Sequence, residues 1–303
     1  MQSQYARTRG QSNIGPSERI LCVKKNDNGY CGRRGAASLF RLLYGSRSAL
    51  KTLSCGELSK WTTAADAKRS TTLSCTGDLV KLLDQVRRAQ VSRMLDIGCG
   101  YGGLTRFLAE FFSAGEFHGI DIDPDIQEEA RSKGLTVHIL NAETEPLPFP
   151  KGYFDLITCL GVLENMVSVD NILKETNRVL RDRGLCLFSM CNLGSWLNRL
   201  VLLLGYQPRD IEISSRISVG THPAYSRAGG GITPTGHLHT VTTLAFRQLM
   251  EFYGFKQLAL GAMRPEFDGT RVSAAFRIVD HVLSKRPSLG RRFLYLGTKS
   301  SET

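Results

Sequence analysis

From Gly77 onwards, short apolar runs alternate with stretches in which apolar residues return every three or four positions. The second rhythm is that of a helix with one buried face. The first, bounded by polar turns, is that of a strand buried on both faces. Leu79, Leu82, Leu83 and Val86 predict a lead-in helix, after which Val91 opens a first strand. Leu104, Phe107, Leu108 and Phe111 predict a crossover helix, and Phe117 to Ile122 a second strand. Thr136 to Leu140, Phe154 to Cys159 and Leu185 to Met190 follow as strands, with a helix from Val169 to Leu180 before the last of them. Strands separated by helices require right-handed crossovers. The pattern therefore predicts an α/β fold with a doubly wound, mostly parallel sheet, whose ligands lie beyond the carboxyl ends of the strands.

After the fifth strand the rhythm breaks. Trp196 to Leu204 reads as a helix that stops at Gly205, and a polar, glycine-rich insert runs on to Gly236, so the interruption spans about 192–241. Thr242 to Tyr253 and Val272 to Leu283 are predicted helices, with a strand from Phe255 and a short one from Phe293 to Gly297. Trp196, Leu197, Leu200, Val201, Leu203 and Leu204 cover more than the single stripe needed to pack on a sheet. Two readings follow for the spare face: it lines or caps an acceptor crevice, or the insert buries it.

The first strand ends in Met94-Leu95-Asp96-Ile97-Gly98-Cys99-Gly100-Tyr101-Gly102-Gly103, an acid followed by a glycine turn and a helix start. Glycines let a ligand approach the main chain without meeting a Cβ. Gly98, Gly100 and Gly103 also satisfy the G-x-G-x-x-G spacing of dinucleotide folds, so the glycines alone leave an NAD-type oxidoreductase open. Asp96 weighs against it, because a carboxylate there repels a pyrophosphate and suits an ammonium. The second strand leads into Asp121-Ile122-Asp123-Pro124, with Asp123 as N-cap and Pro124 as first helical residue. Asp121 is thereby left at the strand's end, about 20 residues past the glycines, where an acid holds ribose hydroxyls.

The Asp-x-Gly-x-Gly-x-Gly run from Asp96 to Gly102 resembles motif I of the class I S-adenosylmethionine-dependent methyltransferases, of the type 11-like kind, and the resemblance covers about residues 78 to 300. It implies a Rossmann-like, seven-stranded sheet with an antiparallel last strand, S-adenosyl-L-methionine as cofactor, and in-line methyl transfer. Cofactor contacts are implied at Asp96, Gly98, Cys99, Gly100, Gly102, Asp121, Ile122, Asn141, Ala142 and Leu160. Asn141-Ala142-Glu143 and Pro146-Leu147-Pro148-Phe149 resemble the family's adenine-side segment, with Asn141 in place of the usual Asp; an amide carbonyl still accepts from an exocyclic amine. In the resemblance, insertions after the fifth strand help form the acceptor pocket.

An oxygen or carbon acceptor also loses a proton, and Glu164, His237 and His239 are the candidate bases. Related small-molecule enzymes often read Glu-His where this chain reads Glu164-Asn165, so that histidine's task is lost or moved, and a non-catalytic scaffold is a further reading. His237 and His239 are spaced for a metal, but no third ligand is evident in the sequence, and no metal is assigned.

Charge separates the arm from the body. Residues 1–90 hold 16 Lys+Arg against 6 Asp+Glu, and residues 91–303 hold 23 against 22. A near-neutral body favours a small apolar, aromatic or lipidic acceptor over nucleic acid, while the basic arm keeps an RNA methyltransferase as an alternative. Residues 1–76 are read as a poorly ordered basic extension with one short amphipathic helix from Ala36 to Tyr44, and 77–303 as the folded domain. No apolar stretch reaches the ~20 residues of a membrane span. That reading leaves peripheral contact with a membrane open. Eight scattered cysteines without a C-x-x-C pair point to reduced thiols and a cytoplasmic protein, or an organellar one if residues 1–60 are a transit peptide.

Overall fold

The computed structural model describes residues 76–208, 210–222, 236–264 and 273–300. The expectations for residues 1–75, and for part of the insert, lie outside these. Among them the chain forms α1 (Thr76–Leu83), β1 (Arg93–Ile97), α2 (Gly103–Phe112), β2 (Glu116–Asp121), α3 (Gln127–Ser132), β3 (Thr136–Ile139), β4 (Phe154–Leu160), α4 (Asp170–Val179) and β5 (Leu180–Cys191). After these come α5 (Trp196–Leu203), α6 (Thr243–Phe252), β6 (Phe255–Met263), α7 (Ala274–Leu283) and β7 (Arg292–Lys299).

The seven strands form one sheet in the order β3-β2-β1-β4-β5-β7-β6. The first five run parallel, and β7 is antiparallel to both β5 and β6. The order reverses between β1 and β4, which opens a crevice beyond their carboxyl ends.

Alternation along the strands fills both faces. Met94, Leu156, Leu187 and Leu294 pack with α1 and α2 through Leu79, Leu83, Phe107 and Phe111. On the other face Leu95, Ile97, Ile157, Phe188 and Phe293 pack with Leu173 of α4 and with Phe246 and Met250 of α6. Each fully buried Leu, Ile or Phe contributes about 1.5–3 kcal/mol, so the core lies in these two layers.

Local chemistry sets several boundaries. The N-caps Ser195, Thr242 and Ser273 each accept the backbone N–H three residues on. Asp123 caps a 3-10 turn begun by Pro124, as predicted, and the turn runs on into α3. β5 starts five residues before the predicted strand, directly after α4; the irregular entry at Arg183, with φ of 58°, carries no alternating pattern. The four described cysteines, Cys99, Cys159, Cys186 and Cys191, are buried thiols. Among the described residues no helix is long and apolar enough to cross a membrane.

Candidate functional site

A cavity of about 360 Å³ opens where β1, β2 and β4 end. Its floor is the glycine turn. Gly98, at φ of 77°, lies so close to Val162 that a Cβ would run into the Cγ2 of that residue, while Gly100, at φ of 50°, meets nothing within 4 Å. A main chain bare at this point admits a ligand to its N–H groups. The turn is pinned to β2: Gly98 and Cys99 donate to the Ile120 carbonyl at 2.7 and 3.0 Å.

Asp96 is buried beside this floor. Register places it opposite Thr158, whose hydroxyl donates to it at 2.6 Å, and the Thr105 hydroxyl at the start of α2 donates at 2.5 Å. Burial outweighs these two bonds and pushes the Asp96 carboxyl up to about 6. Asp121 lines the cavity and accepts the Gly100 N–H at 2.8 Å and the Asp123 N–H at 3.1 Å, which ties the tip of the turn to the end of β2.

Asn141 uses its side-chain oxygen to accept the Glu143 N–H at 3.0 Å, fixing the segment that carries Ala142 into the cavity wall. The opposite wall is Leu160, Gly161, Val162, Asn165 and Met166. Burial, with Asp96 and Asp121 nearby, pushes the Cys99 thiol far up; its sulfur packs where a side chain on Gly119 would have to go. It is a small inert filler of the turn.

Of the ten cofactor positions read from the sequence, nine line this cavity; Gly102 instead packs under it against Leu135 and starts α2. Tyr101, Leu104, Val162 and Met166 are among the further lining residues, without a sequence signal of their own apart from following a glycine turn or a strand end. The clamp residues Thr105 and Thr158 were equally silent.

The lining includes Asp96, Asp121 and Glu143 and, among the described residues, no Lys, Arg or His. An anionic crevice repels a pyrophosphate and attracts a ligand bearing an ammonium and a sulfonium. The family profile described as Methyltransferase domain matches residues 95–188. The chain carries a class I S-adenosylmethionine-dependent methyltransferase domain. Relatives agree: a ubiquinone biosynthesis O-methyltransferase of Methylococcus capsulatus is 29% identical over 181 residues, covering 53% of this chain and 76% of the relative. A ubiquinone/menaquinone biosynthesis C-methyltransferase UbiE of Erwinia tasmaniensis is 36% identical over 120 residues, or 37% of this chain and 44% of that one. A solved structure from Listeria monocytogenes, assigned to the S-adenosylmethionine dependent methyltransferases, superposes with a TM-score of 0.50 at 16% identity, covering 75% of this chain and 98% of that one. It shares the fold. The cofactor of the methyltransferase domain is S-adenosylmethionine, and the bare glycine floor and three carboxylates fit it.

The three candidate bases lie outside the cavity lining, in a cluster beyond β4 and β5. Glu164 is buried and accepts from Arg292, whose guanidinium also donates to Cys191 Sγ at 3.0 Å. His237 is half-buried with Nδ1 3.8 Å from Cys191 Sγ, and His239 is exposed with Nε2 2.8 Å from the Val167 carbonyl. Glu164 also accepts Leu238 N–H at 2.6 Å and His239 N–H at 3.1 Å through its backbone carbonyl, so the loop of the two histidines hangs on it. Donor atoms of Glu164, Cys191 and His237 lie within 4.8 Å of one another, a group that takes in His237 but not His239 of the pair spaced in the sequence. A guanidinium bonded to two of the three already supplies their positive charge, and Arg292 is held strongly protonated by Cys191 and Glu164 despite its burial.

Proposed function

We propose that the protein transfers a methyl group from S-adenosylmethionine to a small, apolar acceptor with a quinone-type ring, at an oxygen or a ring carbon. The observation that carries the reading is the cavity with three carboxylates and no cation: it accepts the cationic cofactor and offers nothing to a phosphate-rich acceptor. The quinone ring comes from the two relatives, whose names place them in ubiquinone and menaquinone biosynthesis. Leu160, Val162 and Met166 give the wall towards β5 an apolar surface suited to a flat ring.

When bound, the cofactor supplies an electrophilic methyl group on a positively charged sulfur. Asp96 and the turn from Gly98 to Gly102 hold its amino-acid end, and Asp121 takes the ribose hydroxyls with the oxygen lone pairs its two backbone bonds leave free. Ile122 lines the cavity yet is 66% exposed, so its side chain is free to cover the adenine opposite Ala142 and Leu160. Holding nucleophile, methyl and sulfur in line is worth ~7–11 kcal/mol in favourable cases, and that is the main task of these walls.

A hydroxyl acceptor gives up its proton to His237, which is half-buried at the edge of the cluster. Glu164 is committed to Arg292 and acts by holding the loop of His237 and His239. The test is incubation of the purified protein with labelled S-adenosylmethionine and, separately, demethylated quinones and RNA. Label in the quinones supports the proposal, as does a His237→Gln variant that keeps cofactor affinity while kcat falls about 10²-fold or more. Label in RNA alone overturns it, and cofactor binding with no product from any acceptor would leave a scaffold.

A further inference from the structure

Two helices, α5 and α7, each bury a polar residue and leave several apolar residues exposed. In α5 the buried positions are Val201 and Asn198, which donates to the Asn192 carbonyl at 2.9 Å, while Leu200, Leu202 and Leu203 are exposed, Leu203 to 83%. In α7 the buried position is Asp280, while Ile278, Val279 and Val282 are exposed, Ile278 to 52%. The two helices are tied together: Trp196 of α5 donates through Nε1 to Asp280 at 2.9 Å, and its ring packs at a tilt of 50° on Phe276 of α7, 5.1 Å between ring centres. Scattered exposed leucines are ordinary on a soluble surface, but a group of exposed apolar side chains on two adjoining helices is not.

The charges beside this face have one sign. Between residues 196–204 and 273–286 the only acid is Asp280, which is buried and paired with Arg291, whereas Arg199, Arg277, Lys285 and Arg286 are exposed. A second copy of the chain meeting this face about a two-fold axis would set these cations against one another. Residues 1–75 carry 13 Lys+Arg against 4 Asp+Glu, so the same repulsion opposes that segment. An anionic bilayer has the complementary composition: acyl chains for the leucine, isoleucine and valine side chains, and headgroups of negative charge for the arginines and lysine.

We propose that the α5–α7 face docks on an anionic phospholipid membrane, with the exposed apolar side chains entering the acyl boundary and the cations at the headgroup level. The inference rests on this face alone and holds whatever the acceptor is.

The full chain is sedimented with vesicles of phosphatidylcholine alone and of phosphatidylcholine with phosphatidylglycerol. It is expected to partition onto the anionic vesicles and to be released by high salt. Leu203→Glu with Ile278→Glu, and separately Arg277→Glu with Lys285→Glu, should each lower the partition by at least roughly tenfold with the melting temperature unchanged. The second pair keeps the test valid if the first fails to fold. No partition, equal partition onto neutral vesicles, or wild-type partition in a folded double variant overturns the proposal; the last outcome would move the contact to the basic residues 1–75. A dimer that the variants abolish, without vesicle binding by the wild type, overturns it in favour of self-association.

Discussion

Asp96 reaches its clamp Thr105 across 9 residues of chain and Asp121 reaches Gly100 across 21, whereas Arg292 reaches Glu164 across 128 and Cys191 across 101. The cofactor side of the strand edge is thus closed mainly by neighbouring βα turns. The side proposed for the acceptor is assembled from β4, β5, the insert and the last strand at once. Asn192 is the plainest example: its side chain donates to Gly290 at 2.7 Å and to Ser288 at 3.0 Å and accepts from Gly194 at 3.0 Å, while its backbone bridges to Val241. One buried amide therefore joins the entry of the insert, its exit and the approach to β7.

The largest effect expected from testing this division is on the acceptor side. Arg292→Met leaves Glu164 buried without its partner and should cost about 3–5 kcal/mol of stability by denaturant unfolding, partly recovered by adding Glu164→Gln. A loss below about 1 kcal/mol would mean that water reaches the pair and that the cluster is not a unit.

Next comes the turn. Gly98→Ala forces a side chain into φ of 77° and against Val162, and roughly 2–4 kcal/mol should be lost together with cofactor binding. Val162→Ala in the same chain should restore the part due to crowding and leave the backbone strain. Full recovery would show that only the contact mattered.

Asp121→Asn should weaken S-adenosylhomocysteine by roughly 1.5–3 kcal/mol in calorimetry, through the lost charge towards the ribose and the Gly100 tether, with little change in melting temperature. A melting temperature that falls as far as the affinity would make Asp121 part of the frame.

The smallest effect is a pH dependence. Burial keeps a proton on Asp96 in the folded protein up to about pH 6, against 3.8 for an unburied aspartate, so this group's stabilising contribution is complete below that lower value and is lost as pH rises through 6. A cationic cofactor favours the ionised form, so affinity should be flat above pH 7 and fall about tenfold towards pH 5, and Asp96→Asn should abolish that slope. A slope that survives in Asp96→Asn belongs to another group.

Much of the cofactor half was legible because its determinants are local. The Asp96-to-Gly103 run contains its own strand end, its turn glycines and its helix start, and Asp121 follows one crossover later. What the pattern did not carry there was Thr158, which meets Asp96 only through the β1–β4 register. In the acceptor half the sequence supplied residue types without partners. Glu164, His237 and His239 read as three candidate bases, whereas Arg292 engages the first and Cys191 stands beside the second. The surplus of apolar residues in α5 was visible, but of its two readings, a cap on an acceptor crevice or burial by the insert, neither places Leu200, Leu202, Leu203 and Leu204 where they are found, exposed and outside the cavity lining.

Period and punctuation alone thus determined the alternation of strands and helices, the parallel core and the edge at which ligands gather, since each depends on residues a few positions apart. The pairing of β7 between β5 and β6, the closing of Arg292 on Glu164 and Cys191, and the outward turn of α5 and α7 were decided only in the folded chain. Each depends on contacts between residues far apart in the chain, such as Trp196 with Asp280 across 84 residues and Arg292 with Glu164 across 128, and no local pattern encodes that choice.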